Sequence, residues 1–306
     1  MDRSVDLVII GAGPGGMTAA LYASRAGLET VMIDAGAPGG KLLKTYLIDN
    51  YPGVPECPGP DLAMTMYEQS VSFGASFENG EVVKVNKDKQ VFLENGDVIN
   101  ARAVIVATGT RERVLNIPGE QEAIGHGESF CAVCDGAFYR NKDVIVIGGG
   151  NAALEESQFL AKFANKVTIV TRRDFLRAEH KVQLRTFENE KIKLITKYTP
   201  ERVVLTDGKV SGVEFKSVET GDLITIPCSG LFPYIGSDPD TGMVKDLGVT
   251  DKNGFIVANE KMETAVPGIY AIGDCTNKPL RQVVTATGDG AVAAQQVYQY
   301  FNDVEF

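Results

Sequence analysis

Two cysteines separated by two residues are the part of the sequence best suited to do chemistry. Cys131 and Cys134 form a CxxC pair, and Asp135 follows directly. In a cytosolic chain that also binds nucleotides, such a pair is typical of a redox dithiol, in which one thiolate attacks and the other resolves. Asp135 is a candidate proton donor to the departing thiolate. The alternative is that Asp135 caps a helix following Cys134.

A zinc site is the other use that a CxxC pair could have. Zinc needs about four ligands, and the chain has no second CxxC. The remaining cysteine and histidine ligands are scattered: Cys57, Cys228, Cys275, His126 and His180. We therefore predict no metal site and interpret the three other cysteines as packing residues, although Cys275 stands beside a predicted cofactor contact. Five cysteines, an odd number, also differ from a secreted disulfide framework and indicate a reducing compartment.

A glycine-rich turn near the start of the chain predicts a nucleotide site. Gly11, Gly13 and Gly16 occupy the positions of a GxGxxG motif. The run from Val5 to Ile10 before them is typical of a strand, and a helical pattern follows from about Pro14 to Arg25. Such glycines permit a tight turn, close approach to a pyrophosphate and close packing of helix on strand. Asp34, at the end of the next predicted strand, stands where a carboxylate can bind an adenosine ribose; the alternative is a purely structural turn.

The same pattern returns in the second half of the chain. Gly148 and Gly150 open a GxGxxA motif, and a helical pattern follows to about Phe163. Asp34 follows Gly11 by 23 positions, and Thr171 follows Gly148 by the same 23 positions. One chain therefore contains two βαβ units in the same register.

The second unit differs from the first in the charge at its acidic position. Thr171 stands there, and Arg172, Arg173 and Arg177 follow. Without a carboxylate, a 2′-phosphate is not repelled, and guanidinium groups supply bidentate donors for it. This pattern predicts NADPH rather than NADH; the alternative is an ordinary cluster of solvated arginines.

Two nucleotide sites and a dithiol in one chain require a group that carries electrons from a nicotinamide to a disulfide. A nicotinamide gives up a hydride, whereas a disulfide is reduced through thiolate and mixed-disulfide steps. A flavin accepts hydride and passes electrons to a disulfide. We therefore predict FAD in the first site and NADPH in the second.

The composition excludes several classes of function. The 306 residues are 44% hydrophobic and 23% charged, the balance of a folded globular protein. A net charge of −10 makes nucleic acid an unfavourable partner. No apolar run reaches the roughly 18 residues of a membrane span, and the one near the N-terminus is too short for a signal peptide. We expect a cytoplasmic protein with no membrane or nucleic-acid partner.

The remaining elements complete the two units. Hairpin patterns surround Asn95-Gly96 and Asp207-Gly208, and a buried strand is predicted from Ala103 to Ala107. A strand at Ile269 to Ile272 and a final helix from about Val283 to Phe301 follow.

These elements predict an α/β fold of two Rossmann-like nucleotide-binding domains, the second inserted into the first. We place a discontinuous FAD-binding domain at 1–112 and 238–306. The NADPH-binding domain, which carries the CxxC pair, is placed at 113–237.

In these features the chain resembles the low-molecular-weight thioredoxin reductases of bacteria over nearly its whole length. The segment CAVCDG, Cys131 to Gly136, is highly specific, whereas the glycine motifs are not. The other matching motifs are Gly11 to Gly16, Gly39-Gly40, Asn50 to Gly53, Ala107 to Gly109, Gly148 to Asn151, Arg172-Arg173 with Arg177, Gly273-Asp274 and Arg281-Gln282.

The resemblance implies a homodimeric flavoprotein that moves electrons from NADPH through FAD and the 131/134 disulfide to thioredoxin. The implied FAD contacts are Gly11, Gly13, Gly16, Asp34, Gly39, Gly40, Lys41, Asn50, Thr108, Gly109, Gly273, Asp274, Arg281, Gln282 and Val283. The implied NADPH contacts are Gly148, Gly150, Asn151, Arg172, Arg173 and Arg177. Near Val283, the N-terminus of the final helix would point at the flavin.

The resemblance also assigns roles around the cysteine pair. Cys134 would face the flavin and Cys131 would attack thioredoxin, which would dock near Phe138 and Arg140. The domains would swivel on linkers near 111–117 and 235–242.

Three residues depart from the family pattern. Lys41 stands where Gln is usual, and Thr171 where His is usual. Ala137 occupies a position that can be aromatic in relatives. The rival interpretations are a related flavin disulfide reductase with another donor (NADH or ferredoxin) or a thioredoxin-like acceptor, and a flavin-binding scaffold without turnover.

Overall fold

The structure, a computed structural model, describes residues 3–45 and 48–304. The described residues divide into two compact units. The first unit comprises 3–43, 48–111 and 238–304, and the second comprises 44–45 and 112–237. The extreme ends of the domain predicted at 1–112 and 238–306 lie outside the described residues.

The strands of both units, in chain order, are β1 Arg3–Ile10, β2 Thr30–Asp34, β3 Ser76–Asn79, β4 Val82–Val85, β5 Gln90–Leu93, β6 Val98–Val106, β7 Thr110–Glu112, β8 Asp143–Ile147, β9 Lys166–Thr171, β10 Ile192–Thr196, β11 Tyr198–Thr206, β12 Lys209–Ser217, β13 Leu223–Pro227, β14 Gly230–Pro233, β15 Ser237–Pro239 and β16 Ile269–Ala271.

The α-helices are α1 Pro14–Arg25, α2 Gly59–Ser72, α3 Glu120–Ala123, α4 Ala132–Asp135, α5 Asn151–Leu160, α6 His180–Phe187 and α7 Val283–Val304. Short 3₁₀ turns cover Gly40–Lys44, Gly136–Tyr139, Gly242–Leu247 and Gly273–Cys275.

The first unit is built on a sheet with the order β3-β2-β1-β6-β5-β4, in which β16 also pairs with β6. The β1, β2, β3, β6 and β16 pairings are parallel, and the β4-β5-β6 meander is antiparallel. The central strand β1 is a nearly continuous apolar run because both of its faces are buried. Parallel strands end at one edge of a sheet, so the residues that follow β1, β2, β6 and β16 are brought to that edge.

Close packing of α1 against α7 depends on two glycines. A Cβ on Gly290 of α7 would collide with the carbonyl oxygen of Gly15 in α1. A Cβ on Gly15 would lie 3.1 Å from the carbonyl oxygen of Ala286. Because both sites lack a side chain, the first turns of the two helices come together at the same edge of the unit.

The second unit repeats the βαβ arrangement on a parallel sheet of order β10-β9-β8-β14. An antiparallel sheet, β11-β12-β13, accompanies it. Apolar residues of α5 pack on one face of the parallel sheet, with Leu154, Leu160 and Phe232 fully buried. A second apolar cluster contains Phe215 of β12 and Ile145, which lies on the other face of the parallel sheet.

Most predicted elements are confirmed, and two differ in their bounds. The strand predicted from Ala103 is the second half of β6, which continues the hairpin strand without a break from Val98. The helix after Gly148, predicted to reach about Phe163, ends at Leu160 and is followed by turns. The apolar pattern of the sequence continues past the end of this helix, because Phe163 still contacts Phe159, at 5.4 Å between ring centroids.

Two carboxyl groups are buried close to each other in the second unit. Glu120 is 1% exposed and accepts the backbone N–H groups of Leu115 and Asn116, at 2.5 and 2.6 Å. Glu128 is 2% exposed, and neither carboxyl oxygen has a hydrogen-bond donor among the residues that the structure describes. Burial and the Glu120 charge raise the pKa of Glu128 to about 8. Glu128 is therefore protonated at neutral pH and can donate its proton towards Glu120.

The substitution Glu128→Gln should stabilise the protein increasingly as the pH rises. In the unfolded chain a glutamate titrates near 4.3, so between about pH 4.5 and pH 8 the folded state holds a proton that the unfolded state has released. Stability of the native protein is then lost across that window and levels off above it. We expect the variant to gain roughly 4 kcal/mol at pH 8 relative to pH 4.5.

Thermal unfolding of both proteins measured from pH 4.5 to pH 9 tests this expectation. The exposed Glu122→Gln, on α3 with Glu120, is the matched control and should show a pH-independent difference. A constant difference for Glu128→Gln across the whole range would contradict the buried-proton interpretation.

Candidate active site

The first glycine turn is shaped by contacts that exclude side chains. Gly11 has φ +104°, and a Cβ there would collide with the carbonyl oxygen of Ala107. A Cβ on Gly16 would collide with the carbonyl oxygen of Gly11, so helix and turn pack tightly. A Cβ on Gly13 would meet nothing within 4 Å. This open face is where a ligand can approach the backbone at the N-terminus of α1.

Asp34 is held at the end of β2 beside that turn. Its two carboxylate oxygens accept the backbone N–H groups of Ala12 and Gly36, each at 2.8 Å. A pocket of about 90 Å³ opens next to it, and its lining includes Gly11, Asp34, Glu81 and Asp240. The carboxylate is fixed in orientation, and each of its oxygens keeps a lone pair for a further donor.

The Gly39-Gly40 pair lies against the first glycine turn. The N–H of Gly39 donates to the carbonyl oxygen of Ala12 at 2.7 Å. A Cβ on Gly40, at φ +54°, would lie 3.3 Å from the Cα of Gly13. The neighbouring Lys41 donates from Nζ to Thr110 Oγ1 at 2.6 Å. The structure therefore brings this segment, predicted to contact the cofactor, to the same sheet edge.

The segment after β6 is tied to the start of the returning chain. Thr108 Oγ1 donates to the carbonyl oxygen of Asp240 at 2.5 Å, and the Asp240 N–H donates back to Gly109 at 3.1 Å. Arg111 pairs with the Asp240 carboxylate at 2.7 Å, which raises the pKa of Arg111. Asp240 is a site residue that sequence reasoning missed, because nothing in its local pattern marks it.

The segment after β16 carries a cluster of charges. Asp289 on α7 accepts the N–H of Gly273 at 2.9 Å and forms an ion pair with Lys278. Burial raises the pKa of Asp274, and the charges of Lys41 and Arg281 oppose this shift. Thus Lys41 and Asp274, more than two hundred residues apart in sequence, lie near each other.

The start of α7 completes the first site. Gln282 precedes the helix, and its Oε1 accepts a hydrogen bond from Asn50 Nδ2 at 3.2 Å. Arg281 donates to the carbonyl oxygens of Asp274 and Thr276, each at 3.4 Å, and lies 4.3 Å from the ring centroid of Phe255. Val283 is the first residue of α7, so the positive end of this helix lies beside these side chains.

Together these contacts fit a dinucleotide that contains a flavin. The exposed backbone at Gly13 and the N-terminus of α1 suit a pyrophosphate, and the fixed carboxylate of Asp34 suits a ribose. The N-terminus of α7 suits a ring that gains negative charge on reduction. In the described structure no residue of this edge lies within 4 Å of the position that a Cβ on Gly13 would take.

The second glycine turn reproduces the geometry of the first. Gly148 has φ +147°, and a Cβ there would collide with the carbonyl oxygen of Tyr234. A Cβ on Gly150 would meet nothing within 4 Å, as at Gly13. The N-terminus of α5 follows, so this turn too can receive phosphate oxygens.

The arginines predicted for the second site lie on the loop after β9. Arg172, Arg173 and Arg177 are exposed and form no ion pair with any residue in the described ranges. The Arg173 guanidinium lies 5.5 Å from the ring centroid of Phe175. Asn151, a predicted nucleotide contact at the start of α5, exchanges two hydrogen bonds with Glu179, at 3.0 and 2.8 Å.

The CxxC pair is present as a disulfide. Cys131 and Cys134 are joined, and the one-turn helix α4 spans the residues after Cys131. The N–H of Cys134 donates to Cys131 Sγ at 3.1 Å. Cys131 is 7% exposed, whereas Cys134 is exposed. A hydrogen bond to sulfur at the start of a helix stabilises a thiolate, which favours Cys131 as the nucleophile after reduction.

Two further residues hold the turn in place. Ser129 Oγ accepts the N–H of Cys131 at 3.0 Å, and the hydroxyl of Tyr234 accepts the N–H of Ala132 at 3.2 Å. Burial raises the pKa of Tyr234 above its ordinary range, so its hydroxyl stays neutral. Sequence reasoning missed both residues; Ser129 lies two positions before the pair, but Tyr234 is distant and carries no motif.

Asp135 does not cap a helix. The 3₁₀ turn that follows it has no side-chain cap, and its carboxylate remains partly exposed next to Cys134. The Asp135 charge contributes, after burial, to raising the pKa of Tyr139 to about 12. Beyond it, Phe138 is 73% exposed and Arg140 is exposed, with its guanidinium 5.3 Å from the ring centroid of Phe163.

The other cysteines lie apart from this pair. Cys228 and Cys275 are buried free thiols and Cys57 is partly buried, in agreement with their interpretation as packing residues. Burial raises the pKa of Cys275 to about 11 and of Cys228 to about 12. Within 3–45 and 48–304, no group of three or more potential ligands could hold a metal ion. Nor does any helix in these ranges have the length and apolar character to cross a bilayer.

The chain is similar to known proteins over almost its full length. The family model of the pyridine nucleotide-disulphide oxidoreductases matches residues 5–290. Thioredoxin reductase of Bacillus subtilis is 44% identical over 306 residues, covering 99% of this chain and 97% of the relative. That of Treponema pallidum is 42% identical over 308 residues, covering all of both chains. The crystal structure of Lactococcus lactis thioredoxin reductase is 43% identical, covers 98% of this chain and 99% of its own, and has a TM-score of 0.94.

These similarities confirm the resemblance and the α/β fold class that the sequence predicted. The glycine turns and the cysteine pair lie at the positions on which that resemblance was based. The chain belongs to the pyridine nucleotide-disulphide oxidoreductase family of enzymes and, within it, to the thioredoxin reductases.

Proposed function

We propose that this protein is an NADPH-dependent, FAD-containing reductase of thioredoxin. NADPH and a proton supply two electrons that convert the Cys131–Cys134 disulfide to a dithiol, with release of NADP⁺. The dithiol then reduces the disulfide of thioredoxin and is itself reoxidised. The observation that carries the proposal is the Cys131–Cys134 disulfide of the CxxC pair. The same chain has two glycine turns that are open to a ligand, at Gly13 and Gly150.

The first unit is proposed to bind FAD, through the residues predicted from the sequence. Asp34 would hold the adenosine ribose, Gly13 and the N-terminus of α1 the pyrophosphate, and the segments at Asn50 and Gln282 the flavin end. Bound FAD would supply a carrier that accepts hydride and gives electrons to a disulfide. The N-terminus of α7 would favour negative charge near Val283.

The second unit is proposed to bind NADPH. The turn at Gly148 and Gly150 would take the pyrophosphate, and the loop arginines Arg172, Arg173 and Arg177 the 2′-phosphate. These guanidinium groups have no acidic partner within the described residues, so they are available for an anion. The absence of a carboxylate at Thr171 supports the same choice.

The two cysteines are proposed to have different roles. The N–H that Cys134 donates to Cys131 Sγ favours Cys131 as the thiolate that attacks thioredoxin. Cys131 is the more buried of the two, so this attack requires that its sulfur first be uncovered. Asp135, next to Cys134 and partly exposed, would donate a proton to the departing thiolate.

Thioredoxin is proposed to dock beside the cysteine pair. The exposed ring of Phe138 and the guanidinium of Arg140 offer an apolar contact and a charge on the segment that follows the disulfide. We further propose that the enzyme is a homodimer, as the resemblance implies. Its free thiols at Cys57, Cys228 and Cys275 support a reducing, cytoplasmic setting.

The Cys134→Ser variant separates the two halves of the reaction. NADPH should still bleach the yellow absorbance of the purified flavoprotein, because hydride transfer to the flavin does not use the disulfide. Reduction of thioredoxin should fall at least 1000-fold, because a lone thiol cannot complete the exchange. Absorbance with NADPH alone and turnover with added thioredoxin measure the two steps.

Cys57→Ser is the matched control, since Cys57 lies outside the disulfide, and it should retain both steps. A colourless protein after reconstitution, or undiminished turnover of Cys134→Ser, would contradict the proposal. Full turnover with a thioredoxin-like acceptor but none with thioredoxin would replace only the acceptor.

The double substitution Arg172→Ala with Arg173→Ala should discriminate between donors. Each lost charge-assisted hydrogen bond is worth about 1.5 kcal/mol or more, so we expect KM for NADPH to rise roughly 100-fold. KM for NADH should change less than about twofold, because NADH lacks the 2′-phosphate. Steady-state kinetics with both donors measure the effect.

The exposed Arg185→Ala on α6 is the control and should change neither constant. Equal losses with NADPH and NADH would show that the two arginines do not recognise the 2′-phosphate.

A further inference from the structure

The side chain of Thr171 lies between the second glycine turn and the arginine loop. Thr171 ends β9 and is 5% exposed. Its Oγ1 donates to the carbonyl oxygen of Arg173 at 2.7 Å. Its methyl group faces the glycine turn, because a Cβ on Gly149 would lie 3.3 Å from Thr171 Cγ2. One buried side chain therefore contacts both parts of the proposed NADPH site.

The same loop is tied to the glycine turn at two later points. The N–H groups of Arg177 and Ala178 both donate to the carbonyl oxygen of Gly149, at 2.7 and 3.1 Å. Glu179 and Asn151, the first residue of α5, exchange the two hydrogen bonds described above. The far end of the loop is thus anchored by backbone bonds and by an exposed side-chain pair.

The near end, which carries Arg172 and Arg173, has a single side-chain anchor among the described contacts, the hydroxyl of Thr171. Both arginine side chains are exposed, and ordering such long side chains on a ligand costs conformational entropy. A fixed backbone lowers that cost by limiting the positions from which each guanidinium starts. The Thr171 side chain is buried, so its hydrogen bond is partly shielded from water and holds the backbone more firmly than an exposed one would.

We infer that Thr171 is a positioning residue for the 2′-phosphate: its hydroxyl fixes the backbone that carries Arg172 and Arg173, without itself contacting the nucleotide. This inference rests on the proposed use of NADPH. Donor choice at this site is then set by a hydroxyl at the end of β9 as well as by the arginines. The hydroxyl of Thr171 bonds to a backbone carbonyl oxygen, which does not itself recognise the 2′-phosphate. Any effect of Thr171 on donor choice must therefore act through the positions of the arginine side chains.

The substitution Thr171→Val tests the hydroxyl alone, because valine keeps the size and the methyl group. Adenosine 2′,5′-bisphosphate, which carries the 2′-phosphate, and adenosine 5′-monophosphate, which lacks it, are the probes for calorimetric titration of the flavin-loaded protein. We expect the variant to bind the bisphosphate about fivefold to tenfold more weakly, as for one lost hydrogen bond. Affinity for the monophosphate should change less than about twofold.

Thr171→Ser keeps the hydroxyl and should retain at least half of the affinity for the bisphosphate. Thr171→Ala, which also lacks the hydroxyl, should behave as the valine variant does and replaces it if valine does not fold. Unchanged bisphosphate affinity in the folded hydroxyl-free variants would overturn the inference.

A double-mutant cycle distinguishes positioning from direct contact. In a protein that already carries Arg172→Ala and Arg173→Ala, the further change Thr171→Val should cost less than about twofold in bisphosphate affinity, since the groups that it positions are gone. The same fivefold to tenfold loss in both backgrounds would mean that the hydroxyl contacts the phosphate itself, and would overturn the inference.

The parent protein separates failure of this inference from failure of the proposed donor. If the parent binds the bisphosphate no more tightly than the monophosphate, the assignment of NADPH fails, and the inference fails with it. If the parent prefers the bisphosphate and the arginine variant loses that preference while Thr171→Val keeps it, only the role of Thr171 is refuted.

Discussion

The structure depends on one steric constraint, which occurs twice: a backbone carbonyl passes through the space where a side chain would otherwise be. At Gly11 the carbonyl belongs to Ala107, and at Gly148 it belongs to Tyr234. Any residue with a Cβ would push the neighbouring strand end away and pull the helix off the sheet. Because the space is empty, each turn closes tightly and leaves the next glycine of its motif, Gly13 or Gly150, open to a phosphate. The two proposed nucleotide sites are consequences of this packing.

Tyr234 links that constraint to the redox chemistry of the second unit. Its carbonyl oxygen fills the space at Gly148, and its hydroxyl accepts the N–H of Ala132, directly after Cys131. Burial raises the pKa of this hydroxyl above its ordinary range, so it stays neutral at physiological pH. Tyr139, also buried, packs edge-on against Phe232 at 5.2 Å between ring centroids and supports the same region. The disulfide is therefore supported by the packing that shapes the glycine turn.

The sequence predicted what is local or periodic. The bounds of α1, the register of the two βαβ units and the hairpin at Asp207-Gly208 follow from glycine spacing and apolar runs, and the structure confirms them. Long-range partners could not be predicted in this way. Asp240 and Tyr234 contact the sites from distant segments, and only the folded chain brings them there. The hydrogen bonds between Asn151 and Glu179, 28 residues away, likewise join segments that no local pattern connects.

The double use of Tyr234 has a mechanical consequence. The second glycine turn packs on the backbone carbonyl of Tyr234, and the turn that carries the disulfide bonds to the hydroxyl of the same residue, so neither can be displaced alone without breaking one of these contacts. Whatever motion the second unit makes during turnover must therefore carry both as a single body. A rotation that moves the disulfide must therefore move the second glycine turn by the same angle.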